Sequence, residues 1–590
     1  MKELGLLDLA LTLPSSYENN FISKEPLVGI DNVLDATVFS MTNTGRFLKL
    51  RLFSHNFDRE LNAVIFHPKP FHKKIFVVDS RIFIRGKLEY NFNTYSIIQP
   101  KIIKEINTIN VKYKNKIIKN LVQEHLTVQN LLQSGLDKNK AEILYLFHNP
   151  DISFLNKFKK DGYSPEELNV LKYVEIYNYL KKLSKKKRVY EANCSLNGNV
   201  KEFISSLPFQ LTDDQTKTIL DIKKDLSSKN AAKRVIMGDV GCGKTIVILS
   251  SVVMAYPKKS LLMAPTSILA LQIYEEAKKF LPKSLKICFV SAKSKEEELD
   301  KYDFIIGTHA LLYRKLPECE LVMIDEQHRF GVKQREFIKN VIIKDKNKRA
   351  HFLQFSATPI PRTMAMINSQ LVDYSFIKQM PFPKNITTKI IGKDEFKQLL
   401  SHINKEIKQK HQIIIIYPLV EESEVIEYQS IEEAKSYWLK RYENVYVTFG
   451  KDKEKENILE EFRKNGNILI STTVVEVGIS LPKLSTVVIV GAERLGFASL
   501  HQIRGRVSRT GLKGYCFLYT NQKSSKRLKE FAKTSSGFDI AELDLKFRQS
   551  GDIIDGTMQS GQLFKWIDLS EDESIIKEAK LSVQSCRQSQ

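Results

Sequence analysis

The stretch RVIMGDVGCGKTIVILSSVVMAY, residues 234–256, decides the fold. A short β-branched run enters a glycine-rich turn, and the turn opens directly into a long apolar segment. That is the order strand, tight loop, helix. Such a loop aims backbone N–H groups at one anion, and the first helical turn adds the positive end of its dipole. Gly238, Asp239, Val240, Gly241, Cys242, Gly243, Lys244 and Thr245 therefore read as a nucleotide-binding phosphate loop. In this reading Lys244 reaches the β and γ phosphates and Thr245 is a ligand for Mg2+.

The same rhythm extends on both sides. From 206 onward, short apolar runs such as SLLMAP, DFIIGT, LVMIDE and HFLQFSAT alternate with longer amphipathic segments. It resumes after QMPFPKN, residues 379–385, with QIIIIYPLV, NILIST, TVVIVG and GYCFLYT. Continuous apolar runs of this length are how strands buried on both faces of a parallel sheet look. Two doubly wound α/β domains, 206–382 and 383–525, joined by a proline-containing linker, are the economical reading.

Ahead of them the pattern changes. Residues 27–105 alternate apolar and polar side chains, as in RFLKLRLF and RIFIRGKLEYNFNTYSIIQPKI, which predicts a β-barrel or sandwich within a domain spanning 1–110. Residues 111–205 repeat apolar positions every three or four and read as a helical linker. It carries a basic run from Lys185 to Arg188, which suits a solvated helix end or a DNA contact. Residues 526–590 form a short C-terminal segment, whose tail after about 570 is polar and is expected to be partly disordered.

Bulk composition narrows the class. The 590 residues exceed one compact core, and 42% hydrophobic with 27% charged side chains is globular rather than fibrous or disordered. The formal charge of +23 favours a polyanionic partner, because Lys and Arg displace counterions from phosphates. Six scattered cysteines without a C-x-x-C pair suit free thiols in a reducing compartment. The N-terminus lacks the pattern of a signal peptide, and no run approaches a bilayer span, so a cytoplasmic protein with no membrane association is expected.

Two stretches add chemistry to the phosphate loop. In LVMIDEQH an apolar strand runs into Asp325 and Glu326. A carboxylate at that strand end can hold Mg2+, while its neighbour polarises the attacking water. Asp325 is the metal ligand in this reading and Glu326 the catalytic carboxylate. His328 stands where it could relay the hydrolysis state, or alternatively bind a metal. The second stretch, HQIRGRVSRTG at 501–511, sets Arg504, Arg506 and Arg509 in what reads as a glycine-punctuated loop. Solvated surface charge and a phosphate-directed arginine cluster both fit it.

The motif order LTDDQ, GDVGCGKT, APTSILALQ, GTHAL, DEQH, SAT, TTVVEVGIS and QIRGRVSR resembles the series of superfamily 2 helicases. Within that group DEQHRFGVKQR, FSATPIPRTMAM, AERLGFASLHQIRGRVSRTG and, beyond the motor, GFDIAELDLKFRQSGDIIDGTMQSG resemble the RecG family of ATP-dependent DNA helicases. LGLLDLALTLPSSYENN and IRGKLEYNFNTYSIIQP resemble the start and end of that family's wedge domain.

The resemblance implies a multidomain chain with an oligonucleotide-binding (OB) barrel as a wedge, a helical linker and two RecA-like motor domains. It implies ATP and Mg2+ as cofactors, with Gln215 on the adenine edge and Arg506 and Arg509 meeting the γ-phosphate when the lobes close. Arginines so placed raise the rate by about 10³ to 10⁵. Thr266, Thr308, Ser356, Thr358, Thr472, Thr473 and Gln502 become strand-contact or coupling residues. Arg548 and Gln559 belong to the translocation motif. FHPKPFHKK, residues 66–74, interleaves Phe66 and Phe71 with basic residues; base stacking at the splitting loop and core packing are both open for these rings.

The implied substrate is branched DNA, forks and Holliday junctions, handled by a monomer, with single-stranded-DNA-binding protein as a candidate partner. The sequence departs from the family pattern at Ser480, which replaces an aspartate, at Ser508, which replaces a glycine, and at Gln549 and Ser550 in the translocation motif. Set against the family pattern, the helical extension that often precedes the wedge is also expected to be lacking. Three alternatives compete with this reading: a motor like that of the transcription-repair coupling factor, a junction-binding protein whose ATPase is weakly coupled, and an RNA helicase.

Overall fold

The computed structural model describes the chain except for residues 1–3, 292–297, 344–346, 359, 420–427, 451, 453, 473–480, 509–510, 523, 556–563 and 589–590, and the side chains of 362, 548–555 and 586–588. It divides into two compact units. One comprises residues 1–179, 564–567 and 578–590; the other comprises 180–563 and 568–577.

The first unit is built on a closed barrel. Its strands follow the order Asp31–Asn43, Phe47–Ser54, Arg59–Phe66, Thr94–Ile98, Arg81–Asn91, and the last pairs back onto the first. All these pairings are antiparallel except Arg59–Phe66 with Thr94–Ile98, and the helix Pro70–Ile75 precedes Arg81–Asn91. Five strands so ordered are the OB barrel expected from the sequence. Alternation makes it: Leu48, Leu50 and Leu52 face inward at period two and join Leu34, Ile65 and Ile97 in the core. The strand Ile109–Lys112, which straddles the position 110, pairs with Ser16–Asn19.

Helices follow at Lys116–His125, Val128–Gln133, Lys138–His148, Ile152–Asp161 and Pro165–Lys186. The first four begin where a side chain satisfies an orphan N–H: Asn115, Thr127, Asp137 and Asp151 each accept from the backbone two or three residues on. Glu175 on the long helix accepts from three successive N–H groups, Lys565, Trp566 and Ile567, at 2.7 to 3.0 Å. The expectation of a partly disordered tail is corrected. Residues Glu573–Gln588 are helical because Ile576, Ala579 and Val583 fall on one face, and all three are buried.

The second unit holds two parallel sheets. In the first, the strand order is Ile287–Val290, Phe304–Gly307, Ser260–Met263, Leu321–Asp325, His351–Ser356, Lys233–Gly238, Asp373–Ile377. The second runs Ile386–Ile391, Gly514–Tyr519, Leu484–Val490, Gln412–Ile416, Ile468–Ser471, Val445–Thr448. Every described pairing in both is parallel. The helix Lys244–Ala255 is apolar on all sides and buried from Ile246 to Ala255, which seats the phosphate loop on the sheet's core. In open sheets of this kind ligands bind beyond the strands' carboxyl ends, where the sequence motifs lie.

Candidate functional site

The phosphate loop leaves the strand Lys233–Gly238 and turns through Gly243, whose φ of 83° makes it the left-handed cap of the helix Lys244–Ala255. A side chain there would also meet the Gln215 amide at 2.3 Å, so glycine is required twice over. Lys244 Nζ donates to the carbonyls of Gly238 and Asp239 at 2.8 and 3.2 Å, across the mouth of the loop. Thr245 follows in the first helical turn. Gln215, expected on the adenine edge, is buried in a capping role. Its Oε1 accepts from Thr212 N–H, and its Nε2 donates to the Cys242 carbonyl at 2.9 Å.

The strand His351–Ser356 lies between the phosphate-loop strand and Leu321–Asp325, so the loop, Ser356 and the two carboxylates end side by side. Glu326 takes φ 52°, a left-handed conformation costly for a residue with a Cβ, and this turns its carboxylate back toward the middle strand. There it accepts from Ala357 N–H at 2.6 Å and from the Ser356 hydroxyl at 3.3 Å. Ser356 in turn accepts from Thr358 N–H. His328 Nδ1 stands 3.5 Å from Glu326. Asp325 is buried with Oδ1 lacking any hydrogen-bond partner. Burial, and then the Glu326 charge beside it, push its carboxyl well above the usual carboxylate range.

The arginine stretch differs from the loop expected. Residues 501–504 are the last turn of the helix Phe497–Arg504, and His501, Arg504 and Arg506 are buried, which rules out plain solvated charge for both arginines. Burial follows from the apolar spacing of Phe497, Leu500 and Ile503, which draws the helix into the second lobe's core. Arg504 donates to the carbonyls of Phe531 and Ser535, and its guanidinium lies 4.2 Å over the Phe531 ring. Arg504 is therefore engaged with neighbouring segments of its own lobe. Gln502 bridges the lobes: Nε2 donates to Thr358 Oγ1 at 2.6 Å, and Oε1 accepts from Arg329 at 2.7 Å. Ser508 adopts φ 65°, in the region that glycine favours.

Other expected residues are more scattered. Thr266 caps the helix Ser267–Phe280 through Leu269 N–H, Thr308 is buried beyond Phe304–Gly307, and Thr472 follows Ile468–Ser471. Arg548 lies on the helix Gly537–Asp555, but its side chain and those of Gln549 and Ser550 are outside the described residues. Thr473, Ser480, Arg509 and Gln559 also lie outside them. On the barrel, Phe66 and Phe71 are exposed, which removes core packing as their role. Phe66 meets Phe47 edge-on, and Phe71 lies on the short helix Pro70–Ile75.

Sequence reasoning missed three features. Phe92, at the tip of the hairpin between Arg81–Asn91 and Thr94–Ile98, is fully exposed. It and Asn93 take φ 49° and 63°, a two-residue turn normally given to Asn and Gly, and the alternation around NFN was the available signal. The segment 379–385 is more than the expected linker: Met380 and Lys384 reach within 4 Å of where a Gly241 side chain would sit. The third is His501, whose partner Asp239 no local signal marks.

Comparison with known proteins gives a consistent picture. A family model described as DEAD/DEAH box helicase matches residues 212–367, and one described as helicase conserved C-terminal domain matches 394–511. The chain is 45% identical over 97% of its length to ATP-dependent DNA helicase RecG of Helicobacter pylori strain J99, covering 94% of that protein. To the namesake in Streptococcus pneumoniae serotype 4 it is 35% identical over 79% of the chain and 73% of the relative. A solved structure of RecG bound to a three-way DNA junction aligns with 97% of this chain and 82% of its own, with a TM-score of 0.56 and 25% identity.

Proposed function

The chain belongs to the RecG family of ATP-dependent DNA helicases, and on that premise we propose how its own residues drive the remodelling of branched DNA. It is an ATP-hydrolysing helicase acting on branched DNA. The finer reading is a translocase that pulls a stalled fork or Holliday junction against its barrel, so that the fork reverses or the branch migrates. The observation carrying it is Gln502, which touches Thr358 and Arg329 of the first lobe from the helix that leads into the arginines. Hydrolysis and lobe position are thereby tied to each other.

The chemistry divides among few groups. Lys244, held on the loop carbonyls, is placed to exchange them for phosphate oxygens. Glu326, fixed by Ala357 N–H and Ser356, is placed to orient water. Its contact to Ser356 passes any shift on to Thr358 and Gln502. Arg506, and Arg509 by the resemblance, would neutralise charge on the transferring phosphoryl group.

Mg2+ fits the residues present. Asp325 has a buried, unsatisfied oxygen and a carboxyl that burial disfavours as an anion, and a divalent cation reverses both penalties. Asp325 and Thr245 would hold it, and when bound it would neutralise charge between the β and γ phosphates. Among the described residues no three His, Cys, Asp or Glu groups form a cage, and a cation that borrows phosphate oxygens and water needs none.

Phe92, Phe66 and Phe71 supply stacking surfaces on the barrel, each worth about 1 to 3 kcal/mol per base. Monomeric action, contact with single-stranded-DNA-binding protein and a cytoplasmic location complete the proposal; no described helix is long and apolar enough to cross a membrane. The test is ATP-dependent unwinding of a synthetic four-way junction beside a linear duplex of equal length, with hydrolysis recorded in the same tubes. Selective unwinding of the junction is expected. Hydrolysis without unwinding would sink the translocase reading and leave a junction-binding ATPase.

A further inference from the structure

Asp239, the second residue of the phosphate loop, is buried beneath the loop and serves three segments at once. Its Oδ1 accepts from Val240 N–H within the loop and from His501 Nε2 of the second lobe, both at 2.6 Å. Its Oδ2 accepts at 3.3 Å from the N–H of Gly537, the first residue of the helix Gly537–Asp555 that bears the translocation-like segment.

The imidazole's protonation pattern is dictated by its neighbours. A carboxylate accepts and a guanidinium donates, so Nε2 carries the proton toward Asp239 and Nδ1 accepts from Arg504 at 3.2 Å. Burial holds His501 below the ordinary histidine range, so it stays the neutral tautomer that this arrangement needs. Burial alone would raise the Asp239 carboxyl; the His501 hydrogen bond, with Lys384 3.8 Å away, outweighs it and keeps the group ionised.

Packing points the same way. A methyl group at Gly537 would come 2.8 Å from His501 Nε2 and 3.1 Å from Asp239 Cγ, so the helix start is pressed onto the pair. One turn on from His501, a methyl at Gly505 would lie 3.1 Å from Val240 Cβ. The phosphate loop, the arginine-bearing helix and the C-terminal helix thus share one buried carboxylate.

We propose that His501, acting through Asp239, is a positioning residue that couples the phosphate loop to the helix Gly537–Asp555, so that the state of the loop sets the efficiency with which hydrolysis moves DNA. This rests on the translocase reading above. The histidine does not touch the reacting atoms. Movement of Asp239 as the loop adjusts to nucleotide shifts the His501–Arg504 chain and the start of the C-terminal helix together.

The experiment measures ATP turnover and three-way junction unwinding in the same tubes for the wild-type chain, His501→Ala, His501→Gln and Gly537→Ala. Glutamine keeps an N–H donor at the distance of Nε2, whereas the methyl at 537 crowds the pair without removing it. In His501→Ala the KM for ATP and DNA-free turnover should stay within about twofold, while junction unwound per ATP falls at least about tenfold. His501→Gln should recover most of it, and Gly537→Ala should share the defect.

Wild-type unwinding per ATP in His501→Ala would overturn the proposal. So would a loss confined to KM, or a glutamine variant as defective as the alanine one at unchanged melting temperature. If His501→Ala does not fold, Gly537→Ala decides by the same ratio. Wild-type protein that hydrolyses ATP without unwinding the junction would instead sink the underlying reading, and the proposal with it.

Discussion

At the scale of single residues, the site is an arrangement of side chains that are already engaged. Lys244 rests on two carbonyls, and Glu326 on one N–H and one hydroxyl. Replacing Lys244 by alanine should remove ATP turnover while junction affinity, measured by gel shift, stays within about threefold; surviving turnover would take the loop out of the mechanism. Ser508 carries a conformational cost because an L-residue at φ 65° crowds its own Cβ. Ser508→Gly should relieve roughly 1 kcal/mol, seen as a higher melting temperature of the motor, less whatever its hydrogen bond from Asn385 N–H contributes. The phosphate loop was legible because its eight residues are contiguous and each has a reason to be there. The His501–Asp239 bond was not, since its ends lie 262 positions apart and neither residue is unusual in its own neighbourhood.

At the scale of elements, regular alternation carried the reading furthest. Barrel strands and parallel strands announce themselves by periods and by continuous apolar runs, whereas in the stretch 501–511 the first four residues are helical and not the loop expected. Its arginines drew attention away from Phe497, Leu500 and Ile503, which repeat at helical spacing and bury the helix. The tail failed for the same reason: polar composition hid three apolar residues on one face. The barrel hairpin offers the sharpest test at this scale. Phe92 projects from a turn whose two residues both take positive φ, so its ring is held out by backbone geometry rather than by packing. Phe92→Ala should weaken binding of a three-way junction by about 5- to 160-fold, the range of one lost base stack, while Phe92→Tyr should retain it. Fluorescence anisotropy on a labelled junction reads both, and equal affinities for all three proteins would remove the hairpin from the DNA-binding surface.

At the scale of the molecule, the sequence divided the chain by composition, and five consecutive segments followed. The structure groups residues by contact, and its first unit takes in two short pieces from the far end. No composition shift could reveal that, because Lys565 to Ile567 contribute backbone N–H groups, which every sequence has. A pH effect belongs to this unit as a whole. His148 is buried between the Tyr113 hydroxyl and the Ala10 carbonyl, and burial brings it down to about 4 from an ordinary 6.5. The folded unit therefore binds fewer protons than the unfolded chain between those values. Its stability is intact above about pH 6.5 and is lost, by up to roughly 3 kcal/mol, as the pH falls toward 4. His148→Gln, which can still donate to Ala10, should flatten the dependence of the melting temperature over that window; an unchanged slope would show that other groups set it. The anchoring of residues 564–567 on Glu175 also has a consequence in time. A ribosome makes the barrel and its helices before the motor, yet the carboxylate that collects three N–H groups must wait for a segment 390 positions further on to emerge. A unit translated ahead of the motor is thus completed only after it.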